Sequence, residues 1–307
     1  MNQFKFLKDR NNFLGIKNSK TASSKVYIVP YGLEKTVSYG KGTSLGPKKI
    51  LNASQQLELY DIELGIEPSA ILSPKTLDIK NIPSSHLSAL NKLENIIELI
   101  IESKKFPIVI GGEHSITPAC IKPFLKKNKN LTIVQFDAHA DLRDKYQGKK
   151  NSHACSMRRC LDNENIKLIS IGVRSISKEE FIFYENNKKR IEIFWAKDSK
   201  NWDMKKLKKL LQNKNVYISF DVDVLDPSLM PSTGTPEPDG LYWDEAISLI
   251  KLISKSSKVL GADIIEFSPS KYNSSCDFIV AKLIYKIMSY SILKKYFIEI
   301  YYLSEVY

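Results

Sequence analysis

Four short apolar runs in this chain each give way, at their C-terminal end, to acidic or histidine side chains. Residues 107–110 lead to His114, and residues 131–136 lead into Asp137, His139 and Asp141. Residues 216–220 lead into Asp221 and Asp223, and residues 259–265 lead to Glu266. Apolar runs of this length, rich in Val and Ile, read as buried strands. Further runs of this kind lie at 26–29, 167–173 and 191–195, the first stopped by Pro30. Between the runs lie stretches with helical spacing. Residues 85–104 place Leu90, Leu93, Ile97 and Ile100 on one face, with Ser84 or Ser85 as cap and His86 a surface residue. Other helices are expected from near Pro47, from near Ser115, and over 177–188, 203–212, 243–254 and 275–289. Residues 297–301 read as a closing strand or a continuation of the last helix. Strands alternating with helices predict an α/β fold around a mainly parallel sheet. No flexible linker or internal repeat divides the 307 residues, so one domain is expected over 1–307, with a polar extension over about 1–25.

In open α/β sheets, ligands bind beyond the C-terminal ends of the strands. The acidic and histidine residues recur at that edge. A core full of unpartnered carboxylates would be costly, and a random solvated surface does not explain the repeated position. On an extended backbone alternate side chains point the same way, so Asp137, His139 and Asp141 can converge, as can Asp221 and Asp223. Carboxylate oxygens with imidazoles suit a hard or borderline divalent ion such as manganese. With His114 they make two histidines and four aspartates, enough to hold two ions. A two-metal site of that kind lowers the pKa of a bridging water.

Composition narrows the alternatives. No run of eighteen apolar residues is present, so no membrane span is expected. Residues 1–20 lack the apolar core of a signal peptide, which points to a cytoplasmic protein. Cys120, Cys155, Cys160 and Cys276 follow no disulfide framework and read as free thiols. The spacing of His153, Cys155 and Cys160 misses the usual structural zinc patterns. The net charge of +12 comes from scattered lysines, which favours a solvated surface over a nucleic-acid partner.

Three segments, 111–115 (GGEHS), 136–141 (FDAHAD) and 219–227 (SFDVDVLDP), resemble the signature segments of the ureohydrolase family, which comprises arginases, agmatinases and their relatives. The resemblance runs from about residue 26 to 290. It implies a three-layer α/β/α fold and a dinuclear manganese site held by His114, Asp137, His139, Asp141, Asp221 and Asp223. It also implies that Asp141 holds the attacking nucleophile, that His153 shuttles a proton, and that Glu266 meets the substrate guanidinium. A trimer or hexamer is the implied assembly.

Arginases place an Asn where this chain has Arg143, and aspartates after the Gly-x-Arg turn where it has Ser175, Ile176 and Ser177. The segments 152–154 and 233–241 look like the agmatinase branch, apart from Asp239, which stands where a glycine is expected. The expected reaction is hydrolysis of agmatine to putrescine and urea. Guanidinobutyrate, arginine, guanidine, or a metal-binding homologue without catalysis are the alternatives.

Overall fold

A computed structural model describes residues 4–17, 23–294 and 296–297. Its centre is a single eight-stranded sheet whose strands are β1 (Val26–Tyr31), β2 (Lys75–Thr76), β3 (Phe106–Gly111), β4 (Leu131–Phe136), β5 (Ile166–Val173), β6 (Ile191–Trp195), β7 (Asn215–Asp221) and β8 (Lys258–Ile265). The spatial order is β2-β1-β3-β8-β7-β4-β5-β6, and every pair is parallel. The strands ending in β3, β8, β7 and β4 are therefore adjacent, which brings the four acid-tipped ends together at the middle of one sheet edge.

Alternation along each strand builds two apolar layers. Val26, Ile28, Ile108, Ile110, Val134 and Phe136 enter one core with side chains of α1 (Gly46–Ser54), α7 (Met204–Leu211), α8 (Trp243–Ser256) and α9 (Ser275–Ile292). Tyr27, Val29, Val109 and Ile133 enter the other, with side chains of α3 (His86–Glu102), α4 (Thr117–Leu125) and α5 (Ser156–Leu161). The remaining helices are α2 (Pro68–Leu72) and α6 (Lys178–Asn186). The three-layer α/β/α architecture is the one expected. The face of α3 carrying Leu90, Leu93, Ile97 and Ile100 is buried, and Ser85 caps its start. The four cysteines are free and buried.

Some expectations change. Pro30 does not stop β1 but lies inside it, opposite Ile110 of β3. Ile28 turns its carbonyl to β2, accepting from Leu77 N–H, so Pro30, two residues on, turns its missing donor to the same side, where β2 has already ended. The two-residue β2 carries no periodic signal and was not expected. The polar stretch before β1 does more than extend the chain. Phe6 bridges Leu77, Asn12 bonds Pro74 O and Thr76 N, and Phe13 and Leu14 are buried. Of residues 297–301, Phe297 lies in a helical turn beyond the end of α9, and 298–301 lie outside the described residues, as do 1–3 and 18–22 of the expected extension.

Candidate active site

His114 follows β3 in the 3-10 turn His114–Ile116 and is almost completely buried. Its Nδ1 lies 3.1 Å from Asp137 Oδ2, 2.9 Å from Asp141 Oδ2 and 3.5 Å from Asp221 Oδ2, and has no hydrogen-bond partner of its own. The other ring nitrogen explains why. Ser219 Oγ donates to Asp263 Oδ1 at 2.7 Å, and Tyr217 donates to the second oxygen at 3.1 Å. With its proton so committed, Ser219 Oγ accepts from His114 Nε2–H at 3.1 Å. With Nε2 so anchored, Nδ1 faces three carboxylates, an arrangement that calls for positive charge between them, whether a proton or a metal ion.

A second group lies alongside. His139 Nδ1 is 2.9 Å from Asp223 Oδ2 and 3.6 Å from Asp137 Oδ1. The ligand atoms of His114, Asp137 and Asp141 lie within 4.8 Å of one another, as do those of Asp137, His139 and Asp223. Asp137 belongs to both groups, so two ions held there would share it. Local hydrogen bonds fix the carboxylates. Gln135 Nε2 donates to Asp137 Oδ2, His139 N–H to Asp137 Oδ1, Ala138 N–H to Asp223 Oδ1 and Asp223 N–H to Asp221 Oδ1. Asp141 takes a left-handed backbone with φ 53°, and Glu266 one with φ 59°. For non-glycine residues such a conformation costs about 1–3 kcal/mol, and it concentrates at functional sites.

The electrostatics carry the same message. Burial lifts Asp141 to about 7, with Asp137 adding to it, and lifts Glu266 to about 8. Burial, then Asp223 and Asp137, push Asp221 well above the carboxylate range. Burial alone would lower His139, but Asp223 and Asp137 overrule it and raise it to about 12. Burial likewise opposes protonation of His114, and Asp137, Asp141 and Asp221 outweigh it. These anions are crowded out of water, and the shifts show them relying on protons for compensating charge. A divalent ion would supply that charge and release the protons. The donor set, the unpartnered Nδ1 and the convergence of oxygens all fit such an ion.

The cluster floors a cavity of about 250 Å³. His153 lines it, with Nδ1 3.3 Å from both Thr36 Oγ1 and Ser152 Oγ, and its pKa lowered by burial. Glu266 lines it too, with one oxygen accepting from His114 N–H at 2.6 Å. Cys155 and Cys160 join neither group of convergent ligand atoms among the described residues.

Tyr146 and Glu180 line the cavity and gave no sequence signal. A two-residue turn, with Gln147 at φ 48° and Gly148 at φ 76°, closes between Tyr146 and Lys149. It sets Tyr146 edge-on to His153, with ring centroids 5.7 Å apart, and beside Arg143. Arg143 lies 3.7 Å from Glu180, whose oxygens also accept from Leu142 N–H and from Ser177 N–H and Oγ–H. Arg174 donates to the carbonyls of Gly172, Asp223, Val224 and Glu237, tying the end of β5, the Asp223 turn and the 233–240 loop together. In that loop Asp239 adopts φ 64°, the conformation a glycine would take most easily.

Comparison with known proteins gives the family of this fold. The model described as "Arginase family" matches residues 24–289. The N(1)-aminopropylagmatine ureohydrolase of Synechocystis sp. is 36% identical over 278 residues, covering 88% of this chain and 90% of that protein. The agmatinase of Pyrococcus horikoshii is 36% identical over 260 residues, covering 83% and 88%. The crystal structure of the agmatine ureohydrolase of Thermoplasma volcanium superposes with a TM-score of 0.80 at 31% identity, covering 92% of this chain and 94% of that one. With its acid-tipped central strands and shared-aspartate cluster, the chain belongs to the arginase family of ureohydrolases and is a hydrolase of guanidino compounds.

Proposed function

We propose that the protein hydrolyses agmatine to putrescine and urea with two divalent ions, manganese by preference, held by His114, Asp137, His139, Asp141, Asp221 and Asp223. The observation that carries the reading is the pair of ligand groups joined at Asp137 on the floor of the cavity. When bound, the ions supply Lewis acidity, lowering the pKa of water and stabilising negative charge as the guanidinium carbon is attacked.

The chain's own groups do the rest. Asp141 orients the attacking water through a hydrogen bond to its carboxylate. Glu266 has one oxygen fixed by His114 N–H and the other available to a guanidinium N–H fork. His153 delivers a proton from its ring to the leaving amine. Arg143 and Glu180 neutralise each other at the far wall, and Ser175 and Ser177 stand there in place of acidic side chains. That wall offers no carboxylate dedicated to the α-amino group of an amino acid.

A second substrate is favoured by a specific observation. A relative covering 88% of this chain is named for N(1)-aminopropylagmatine, a longer substrate. The test is a urea-release screen over agmatine, N(1)-aminopropylagmatine, guanidinobutyrate, arginine and guanidine, each with manganese, nickel and zinc. Fastest release from agmatine supports the main reading. Fastest release from the aminopropyl compound selects the second, and no urea from any of them overturns both.

A further inference from the structure

Glu113 is fully buried, sits beside His114, and is bonded to residues outside the carboxylate cluster. Among the described residues it pairs with no lysine or arginine. Its Oε2 accepts from Lys35 N–H at 2.5 Å and Thr36 N–H at 2.6 Å. Its Oε1 accepts from Thr36 Oγ1 at 2.7 Å and Ser115 Oγ at 2.5 Å. The two segments meet this closely because residue 112 is glycine. A Cβ there would lie 2.0 Å from Leu33 O.

The directions of these bonds are forced. A carboxylate only accepts, so both hydroxyl protons point at Glu113. Thr36 Oγ1 therefore has only lone pairs left for His153, and it already accepts from His153 N–H at 3.0 Å. Its contact with His153 Nδ1 at 3.3 Å is a hydrogen bond only if Nδ1 carries the proton. The same logic applies on the far side. Ser115 Oγ, committed to Glu113, accepts from His86 Nε2–H at 3.0 Å, and that nitrogen lies 3.6 Å from Glu113 Oε1. His86 is thus half-buried and anchored rather than the free surface residue expected from sequence.

We propose that Thr36, backed by Glu113, is a positioning residue that holds His153 as the Nδ1–H tautomer and frees Nε2 for proton exchange with the substrate. The inference rests on the ureohydrolase reading of the site and adds to it a hydroxyl–carboxylate support for the proton shuttle. In the neutral ring Nε2 takes up a proton from solvent in the cavity, and the imidazolium that forms keeps its Nδ1–H bond to Thr36 while the Nε2 proton is passed to the leaving amine, which restores the neutral ring. His153 Nδ1–H is bonded in both states, so no ring flip is needed between turnovers.

The test uses the metal-loaded enzyme and whichever guanidino compound it turns over. Thr36→Val removes the hydroxyl at nearly constant size. It is expected to lower kcat by about tenfold or more, the scale of a misplaced catalytic group. KM should stay within about threefold and metal content should be unchanged. Thr36→Ser should restore kcat to within about threefold of wild type. In a His153→Asn background Thr36→Val should add nothing, since both act through one ring. Thr36→Cys, a weak donor of similar size, serves if the valine variant does not fold, with the same loss expected. Wild-type kcat in Thr36→Val or Thr36→Cys overturns the proposal, as does an undiminished extra loss in the His153→Asn background. Absence of urea release by the wild-type enzyme would instead bring down the underlying reading, and this proposal with it.

Discussion

Removing one hydroxyl behind the proposed metal site should weaken metal binding without touching a proposed ligand. Ser219 Oγ is the acceptor for His114 Nε2–H, and it is itself held by Asp263. In Ser219→Ala that buried N–H loses its acceptor, at a cost of about 1–3 kcal/mol. The metal-free protein can escape the cost, because Asp137, Asp141 and Asp221 favour a proton on Nδ1 and Nε2 can then give its own up. The loaded protein cannot, because Nδ1 must keep its lone pair. Nearly the whole penalty therefore falls on binding, and affinity at the His114 ion should drop about 10–100-fold, or roughly 1.4–2.7 kcal/mol. The ion between Asp137, His139 and Asp223 should be affected much less. Calorimetric titration of chelator-stripped protein with manganese should therefore change from one tight pair of sites to one tight and one weak. Circular dichroism would check that the fold is intact. Two unchanged sites in Ser219→Ala would refute the argument that Nε2–H orients the ring.

Three other outcomes are expected. His153→Asn should cut turnover by about 10²–10⁴ while metal content stays at the wild-type level, and loss of metal would make His153 a ligand instead. Agmatine should be preferred over arginine by at least about tenfold in kcat/KM, about 1.4 kcal/mol, because Glu180 already engages Arg143 at 3.7 Å. Competition at equal concentrations checks this, and equal rates would refute it. The third concerns acid. Burial works against ionisation of Glu63, but Lys251, Lys286 and Tyr290 outweigh it and bring its pKa from 4.5 down to about 2. A depressed carboxylate contributes its stability above the unfolded value and loses it as pH falls towards the folded one. Glu63→Gln should flatten the fall in thermal midpoint between about pH 4.5 and 2, and an unchanged acid limb would show the cluster is too screened to matter.

How far the sequence could be read depended on how local each signal was. Asp137, His139 and Asp141 sit at alternate positions just past one strand, so their convergence follows from backbone period alone. His114, Asp221 and Glu266 mark the ends of other strands, and the parallel fold brings those ends to one edge. The order β3-β8-β7-β4, which makes the four ends neighbours, depends on crossovers whose paths no periodicity records. His86, Glu113, Thr36 and His153 form one chain across 117 positions of sequence, and only the folded structure joins them. Lys75 and Thr76 form too short a strand for any pattern, and the burial of Asn12 comes from bonds to Pro74 and Thr76 more than sixty residues away. Pro30 was misread because proline's missing donor matters only where a neighbour needs it.

The five hydrogen bonds from Arg174 make the two walls of the cavity unequal. Residues 233–240 are latched, through Glu237 O, to the same guanidinium that grips the carbonyl of Asp223. A shift in that loop is therefore transmitted to a turn carrying a cluster carboxylate. The wall that carries Arg143 and Tyr146 is different. Tyr146 stands on a two-residue turn, and neither it nor the exposed part of Arg143 is bonded to the cluster. A lineage exploring new guanidino substrates can alter Arg143 without breaking a bond to the carboxylate cluster. Changes in 233–240 put substrate fit and metal geometry at stake together. Divergence in substrate length should accumulate on the first wall, and the second should change only by compensated steps.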